Sequence, residues 1–360
     1  MYDCLLIGGS VRAAAWSARR AGLRPLCLDL FADSDLRLLA DCQRIAVDDY
    51  PARLPDLLLE APPGPVVYTG GLENHPTVIE RIARQRPVWG NDAAALRQIR
   101  DPFRIRDWLW TEDLPALMIS QVPLSVPSLR KPLRGSGGQH IRATQGSDTA
   151  VAGYCFQEFR DGLPCAAIFN ALPEATMLLG ITRQLVGTDW LNARPFHYAG
   201  SVGPIDIGDT ARAILCRLAD VLHRRCGLRG LFGIDFILAD DVPWLVEVNP
   251  RYTASVEVLE RSLGIAALAQ HCQAFTGVAV DESGGSPPYR VHGKAILFAP
   301  RMLTVPTDAW PDRECLADIP HSGETIEAGW PIVTVLADSS SAEECIEQLR
   351  QRTRQLKEAL

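Results

Sequence analysis

What this 360-residue sequence lacks excludes several classes of protein. Its ten cysteines lie far apart and form no Cys-x-x-Cys pair, so neither a zinc site nor a compact disulfide framework is indicated. No apolar run reaches the length of a membrane span, and the first residues lack the pattern of a cleaved secretory signal. We therefore expect a protein of the reducing cytoplasm that is neither inserted in a membrane nor secreted.

Clusters of basic residues are also absent. The net charge is −7, and the lysines and arginines are spread along the chain, which argues against a nucleic acid or an anionic membrane as partner. With 47% hydrophobic and 22% charged residues and no low-complexity tract, the composition is that of a globular protein of two or three domains. An anionic ligand would have to be bound by a few particular side chains.

The common nucleotide-binding fingerprints are missing too. Gly8 and Gly9 end an apolar run but are followed by Ser-Val-Arg, without the G-x-G-x-x-G spacing of a dinucleotide site. Lys131 precedes the glycines of residues 135–138, whereas the lysine of a P-loop follows its glycines. A glycine-rich loop after a strand can still present backbone N–H groups to phosphate, although the same composition is ordinary in linkers.

Strand and helix signals alternate over the first 91 residues. Short apolar runs at residues 4–10, 25–30, 44–47, 66–69 and 88–89 are separated by helical stretches, which predicts an α/β domain with a parallel sheet. Residues 70–74 follow one of these strands and should lie at the carboxyl edge, where such sheets bind ligands. Residues 91–110 are helical in pattern, with a break at Asp101-Pro102.

The most informative stretch is a predicted hairpin at residues 234–248. Two alternating apolar runs flank a five-residue connection, and closing that connection sets Leu238 against Trp244. Counting back at period two sets Asp235 against Glu247, with Asn249 on the same face. Carboxylates that face each other across a ladder are unfavourable unless water surrounds them or a cation lies between them.

A magnesium site is the interpretation that we favour for this face. Mg²⁺ takes one or two carboxylates together with the oxygens of a phosphorylated substrate. The carboxylates of Asp235 and Glu247 and the carbonyl oxygen of Asn249 could be its protein ligands. Arg251, two residues further on, could reach a phosphate with its planar guanidinium. The alternative is a solvated polar face on a half-covered hairpin.

The pattern of Asp235 followed, from residue 247, by Glu-x-Asn-x-Arg resembles the metal strands of the ATP-grasp superfamily. This is the fold of biotin carboxylase and of many carboxylate-amine ligases. The resemblance implies Mg²⁺ ligands at Asp235, Glu247 and Asn249, with room for two ions and with Mn²⁺ as a substitute. It makes Arg251 a catalytic contact to phosphate or substrate. Lys131-Pro-x-x-Gly-x-Gly-Gly similarly resembles the phosphate-binding, catalytic lysine and its covering loop, formed by Gly135, Ser136, Gly137 and Gly138.

The adenine pocket is predicted one segment later. Residues 151–159 and 163–170 read as two strands joined at Asp161-Gly162, a hairpin signal. The resemblance makes Gln157, Glu158 and Phe159 the lining of the adenine pocket and Asp161 the ribose-binding acid. The alternative is a plain antiparallel hairpin.

The resemblance implies three parts: a parallel α/β domain at 1–91, an ATP-grasp module with ATP and magnesium at 92–280, and a β-rich region with a final helix at 281–360, after linker-like residues 281–288. It implies an ATP-dependent ligase in amino-acid or cofactor biosynthesis that activates a small carboxylate as an acyl phosphate for attack by an amine, releasing ADP. A homodimer is expected. An ATP-dependent carboxylase is the first alternative, although Ser255 stands where biotin carboxylase-like enzymes have Glu. A non-catalytic nucleotide-binding protein is the second.

Overall fold

The computed structural model describes residues 2–278, 290–307, 310 and 313–360, so the predicted linker at 281–288 lies outside the described residues. The helices within these ranges are α1 (Arg12–Arg20), α2 (Ser34–Leu39), α3 (Leu54–Glu60), α4 (Pro76–Ala83), α5 (Ala93–Ile99), α6 (Pro102–Thr111), α7 (Asp209–Cys226), α8 (Ala254–Leu263), α9 (Ala267–Thr276) and α10 (Ala342–Ala359). The predicted break at Asp101-Pro102 is confirmed, because Asp101 caps α6 by accepting hydrogen bonds from the N–H groups of Phe103 and Arg104.

The N-terminal part is the predicted parallel sheet. Its strands are β1 (Cys4–Gly8), β2 (Pro25–Asp29), β3 (Asp41–Arg44) and β4 (Val66–Tyr68), in the order β3-β2-β1-β4. The strand expected at 44–47 is wrong: β3 lies three residues earlier, and a 3₁₀ turn occupies Val47–Asp49. An edge strand with exposed polar residues carries no apolar pattern, which is why the sequence did not reveal it.

A small antiparallel sheet precedes the large one. It consists of β5 (Ile119–Ser120), β6 (Ser128–Pro132), β7 (Arg142–Ala143) and β8 (Tyr154–Glu158), in the order β5-β8-β6-β7. The next strand, β9 (Leu163–Ala171), pairs with strands of the large sheet instead of with β8. The predicted hairpin turn at Asp161-Gly162 is therefore wrong, and the chain between β8 and β9 crosses from one sheet to the other.

The large sheet is antiparallel and spans the rest of the chain. Its strands are β9, β10 (Thr176–Val186), β11 (Tyr198–Gly203), β12 (Gly230–Ala239), β13 (Val242–Asn249), β14 (Val291–Phe298), β16 (Leu316–Ala317) and β18 (Pro331–Ser339), in the order β13-β12-β9-β10-β11-β14-β18-β16. A separate pair is formed by β15 (Leu303–Thr304) and β17 (Thr325–Ile326). The C-terminal strands thus extend the same sheet through the β11–β14 pairing. The domain boundaries predicted after residues 91 and 280 stay a prediction.

The β12–β13 hairpin has the predicted pairing at one place and a different register elsewhere. Asp235 faces Glu247, as expected, but the turn has two residues, Asp240 and Asp241, both with positive φ, as in a type I′ turn. Leu238 therefore pairs with Pro243 and not with Trp244. A β-bulge at Val246 compensates for the shift before the chain reaches the carboxylates.

Candidate active site

A cleft of about 480 Å³ opens between the N-terminal sheet, the small sheet and the large sheet. Eleven of the predicted site residues line it: Lys131, Ser136, Gly137, Gly138, Gln157, Glu158, Phe159, Asp235, Glu247, Asn249 and Arg251. Gly135 lines an adjoining smaller cavity that also contacts Lys131 and Glu247. The fold therefore brings together residues that are more than a hundred positions apart in the sequence.

Asp161 is placed differently. Its side chain is exposed and accepts a hydrogen bond from the N–H group of Gly162 at 3.0 Å, and it is not among the described residues that line the cleft. The reason is the change of sheet after β8, which turns residues 159–162 into a crossing segment instead of a hairpin. The predicted ribose contact is thus not brought to the site.

The facing carboxylates are in different electrostatic states. Burial, and then repulsion by Glu247, raise the pKa of Asp235 to about 7, although Asn249 and Gln184 donate hydrogen bonds to it at 2.8 and 2.9 Å. Burial also opposes ionisation of Glu247, but its pKa is lowered by the guanidinium of Arg100 and then by the ammonium of Lys131. The folded protein thus disfavours the ionised form of Asp235 and favours that of Glu247.

This arrangement fits a cation that is shared with a ligand. Among the described residues, no three His, Cys, Asp or Glu side chains converge as an all-protein metal site. Two carboxylates are what Mg²⁺ takes from a protein when phosphate oxygens complete its coordination, and a cation here would favour the ionised form of Asp235, which burial disfavours. Asn249 directs its amide nitrogen at Asp235 and accepts a hydrogen bond from Arg251 on its amide oxygen at 3.1 Å, so in this arrangement it orients Asp235.

Lys131 crosses the cleft beneath the glycine loop. Its Nζ donates hydrogen bonds to the side-chain oxygen of Gln157 at 2.8 Å and to the carbonyl oxygen of Val246 at 3.4 Å. Val246 is the bulged residue of β13, so the bulge supplies a carbonyl group at this point. Burial lowers the pKa of the Lys131 ammonium, which is nearly enclosed by protein.

Arg251 is held by an acid that the sequence did not single out. Glu73, in the turn after β4, is fully buried and accepts hydrogen bonds from Nε and Nη2 of Arg251 at 3.0 and 2.7 Å. The predicted position of this turn at the edge of the parallel sheet is confirmed, since Thr69 and Gly70 line the cleft. The guanidinium of Arg251 therefore faces the cleft with one carboxylate partner already in place.

The glycine loop is folded down over the cleft. The carbonyl oxygen of Gly135 accepts hydrogen bonds from Asn74 and Arg100, both at 3.0 Å, and that of Gly137 accepts one from the N–H group of Tyr198 at 3.1 Å. Gly138 has φ +79°, and a Cβ atom there would lie 1.9 Å from the carbonyl oxygen of Phe196. A glycine is thus required at this close approach.

Two further side chains of the site were not identified from the sequence. Gln184, on β10, lines the cleft and donates a hydrogen bond to Asp235 at 2.9 Å. Arg100 had no distinguishing signal beyond the helix break that follows it. Its contacts to Glu247 depend on tertiary structure alone.

Ser255 lies in the cleft, and its hydroxyl shares a hydrogen bond of 2.9 Å with Ser201. Glu257, two residues further on, is fully buried and is bound by Arg12, Arg261 and Lys294. These three cations lower the pKa of Glu257 well below its usual value despite the burial that opposes ionisation. Glu257, the acid nearest in sequence to the position where biotin carboxylase-like enzymes have Glu, is thus fixed in an ion-pair network.

Comparison with known proteins agrees with this geometry. Residues 114–255 match the model of an ATP-grasp domain family. An uncharacterized protein of Methanocaldococcus jannaschii is 32% identical over 127 residues, a match that covers 33% of this chain and 31% of that protein. The sequence relative therefore shares only about a third of its length with this chain.

Solved structures match over nearly the whole chain. The biotin carboxylase domain of the Hydrogenobacter thermophilus 2-oxoglutarate carboxylase, a dimer with MgADP, ADP and bicarbonate, has a TM-score of 0.73 at 14% identity and covers 98% of this chain and 89% of its own. The L-amino acid ligase of Bacillus licheniformis has a TM-score of 0.69 at 17% identity, with coverages of 99% and 97%. The N5-carboxyaminoimidazole ribonucleotide synthetase of Thermotoga maritima has a TM-score of 0.69 at 14% identity, with 98% of each chain covered.

None of the helices in the described ranges is long and apolar enough to cross a membrane. The three structural neighbours differ in what their names say they act on, and at these identities they establish the fold alone. The match at residues 114–255 and the agreement of fold along the chain confirm the resemblance seen in the sequence: residues 114–255 match an ATP-grasp domain, and the chain around them has a fold like that of the biotin carboxylase domain.

Proposed function

We propose that this protein is an ATP- and Mg²⁺-dependent ligase that converts a small carboxylate into an acyl phosphate, which an amine then attacks with release of phosphate. ADP is the nucleotide product. The observation that carries the proposal is the facing pair of Asp235 and Glu247 in the cleft, where burial and the neighbouring Glu247 raise the pKa of Asp235. A cation that arrives with the nucleotide would favour the ionised form of Asp235.

The residues at one end of the cleft suit a triphosphate. Lys131 provides an ammonium group, and the backbone of residues 135–138 can turn N–H groups toward phosphate oxygens when the loop adjusts. Mg²⁺ bound at the carboxylate pair would neutralise charge that develops on the transferred phosphoryl group, a role that a second ion or Mn²⁺ could share. Gln157, Glu158 and Phe159 form the wall beyond Lys131, where we place the adenine.

The other end of the cleft suits the carboxylate and the amine. It is lined by Ser10, Thr69, Ser255 and Lys294, which belong to the N-terminal sheet, α8 and the C-terminal strands. The guanidinium of Arg251 also lines the cleft and is oriented by Glu73. A cation at this position can orient an anionic acceptor toward the terminal phosphate of ATP.

The carboxylase alternative is supported by the fold shared with the biotin carboxylase domain. Carboxylation of an acceptor requires a base near the reacting atoms, and the segment after β13 offers the hydroxyl of Ser255 there, while the carboxylate of Glu257 is fixed by three cations. These contacts favour the ligase. A non-catalytic nucleotide-binding protein is opposed by the retained acidic pair together with Lys131.

The test is a screen of the purified protein with ATP and Mg²⁺ against amino acids and small acids, each with and without a panel of amines, with ADP, AMP and phosphate measured. We expect ADP release that requires both a carboxylate and an amine and that does not respond to bicarbonate. ATP turnover that depends on bicarbonate without any amine would replace the ligase by the carboxylase. Tight ADP binding without turnover on any pair would favour the non-catalytic alternative.

The proposal includes a cytoplasmic homodimer, as predicted from the sequence. The 2-oxoglutarate carboxylase neighbour was solved as a dimer, which supports this choice.

A further inference from the structure

Arg100 connects three parts of the candidate site. It follows α5 at the helix break and is only 12% exposed. One side of its guanidinium contacts the carboxylate of Glu247 and the carbonyl oxygen of Val248, the latter at 3.2 Å. The other side donates hydrogen bonds to the side-chain oxygen of Asn74 at 2.9 Å and to the carbonyl oxygen of Gly135 at 3.0 Å. One side chain thus contacts both the acidic pair and the glycine loop.

Arg100 places its positive charge beside Glu247, where a bound cation would lie. It is the strongest attractive influence on the ionised form of Glu247, ahead of Lys131. Lys131 directs its own hydrogen bonds to Gln157 and Val246 instead. Glu247 therefore has a protein cation as its partner, whereas Asp235 opposite has only amide donors. A divalent cation that bridges the pair must compete with the guanidinium for Glu247.

We propose that Arg100 is a positioning residue that acts as a removable counter-cation. Without nucleotide it holds Glu247 and ties the glycine loop down through Gly135. When the nucleotide arrives with its cation, Arg100 leaves Glu247 for a phosphate oxygen and releases the carbonyl group of Gly135. The inference rests on the proposed nucleotide and metal site and adds a coupling between metal arrival and loop movement.

The geometry of the smaller cavity supports the second position. Arg100, Lys131, Gly135, Ser136 and Glu247 all line it, so a guanidinium that leaves Glu247 stays beside the lysine and the loop that we assign to the phosphates. A planar guanidinium binds phosphate in the same two-pronged way as carboxylate. The exchange therefore replaces one charge-assisted contact by another and leaves no buried charge without a partner.

The experiment measures metal binding without nucleotide, so that it does not depend on any acceptor. Mn²⁺ is titrated into the nucleotide-free protein and followed by electron paramagnetic resonance, for the wild type, Arg100→Gln and Arg100→Lys. Arg97→Gln is the matched control, since Arg97 lies in the last turn of α5, three residues before Arg100, but pairs with Glu80 at the surface. ADP binding with saturating Mg²⁺ and hydrogen exchange of residues 133–140 are measured on the same four proteins.

Arg100→Gln is expected to bind Mn²⁺ alone about tenfold more tightly, because the competing charge is gone, and to bind MgADP about tenfold more weakly, because a charged phosphate contact is lost. Arg100→Lys keeps the charge without the fork, so its Mn²⁺ affinity should stay near that of the wild type while exchange of the loop becomes faster. Arg97→Gln should match the wild type throughout.

If the Arg100→Gln protein bound Mn²⁺ no more tightly than the wild type, the role of Arg100 as a counter-cation of Glu247 would be overturned. Unchanged MgADP affinity would overturn the transfer to phosphate. If none of the four proteins bound Mn²⁺ at millimolar concentration, this inference would fail together with the metal assignment. Failure of the ligase proposal has a different signature: the expected shifts in Mn²⁺ and MgADP affinity persist, but no carboxylate and amine support ADP release.

Discussion

Two carboxylate clusters lie close to the same cleft, one buried and one half-buried, and their charges are balanced very differently. Glu257 is bound by three cations, from α1, α8 and β14, and its pKa is lowered well below its usual value although burial alone would raise it. Asp235 is half-buried and lines the cleft, amide groups are its hydrogen-bond donors, and its pKa is raised to about 7 by burial and by Glu247. The first cluster is complete without a ligand, and the second is not.

The difference separates a structural role from a functional one. A buried carboxylate that the protein fully compensates holds parts of the fold together, here the N-terminal helix α1 and the C-terminal strand β14. A carboxylate that lines a cleft and has a raised pKa, as Asp235 has, is instead a candidate for binding a cation that comes with a ligand. The sequence pattern alone does not distinguish the two, since both acids precede or follow apolar residues.

The largest expected effect is on turnover at the incomplete cluster. Glu247→Gln should reduce the ligase rate roughly a thousandfold, because fixed charge at the reacting phosphate is lost, while the fold is retained. Steady-state ADP release at saturating ATP measures the loss, and circular dichroism monitors the fold. Asp241→Asn, in the turn of the same hairpin, is the control and should retain wild-type turnover, since asparagine tolerates the positive φ of that position. A mutant that keeps wild-type turnover would remove Glu247 from the site.

A smaller effect is expected at the complete cluster, and there it concerns stability. Glu257→Gln should lower the free energy of unfolding by about 3 kcal/mol, because three cations lose their shared partner in a buried place. Glu260→Gln is the matched control on the same helix: it is equally buried, but its pKa is raised to about 7 by burial, and it is held by Ser17, Tyr252 and a backbone N–H group. Its substitution should cost about 1 kcal/mol. Equal losses in urea unfolding would contradict the stabilising role of the three cations around Glu257.

The smallest effect is a pH dependence. The pKa of Asp235 is raised from 3.8 to about 7 in the folded protein, so the folded state binds a proton more tightly than the unfolded state. The stabilisation from that proton is complete below about pH 4 and is lost as the pH rises through 7. Between about pH 5 and about pH 7.5, the wild type should therefore lose about 2.5 kcal/mol relative to Asp235→Asn, in metal-free buffer without nucleotide. Parallel stability curves for the two proteins would show that the pKa of Asp235 is not raised in the folded protein.

The sequence predicted the parts of the site that follow a local pattern. The Asp235–Glu247 pair was found because strands alternate with period two, although the two-residue turn at Asp240 and Asp241 and the bulge at Val246 shift the pairs between them. The shifts cancel, so the pairing at the carboxylates was predicted correctly from an incorrect turn. A bulge leaves no mark in the apolar alternation, which is why it was missed.

The contacts that set the charges could not be predicted. Arg100 reaches Glu247 across 147 positions and Arg12 reaches Glu257 across 245, and neither arginine stands in a pattern that distinguishes it from a solvated one. The crossing from β8 to β9 was missed for a related reason: an Asp-Gly dipeptide between two strands predicts a hairpin, and only the pairing partners decide otherwise.

The continuous large sheet has a consequence for how the chain can be divided. The family match ends at residue 255, yet β14 pairs along β11 and contributes Lys294 to the cleft. A fragment ending after α9 would lack β14, so β11 (Tyr198–Gly203) would become an exposed edge strand, which is prone to self-association. The segment matched by the family model is thus smaller than the part of the chain that lines the cleft. Transplanting residues 114–255 into another protein would transfer the motif without a complete cleft.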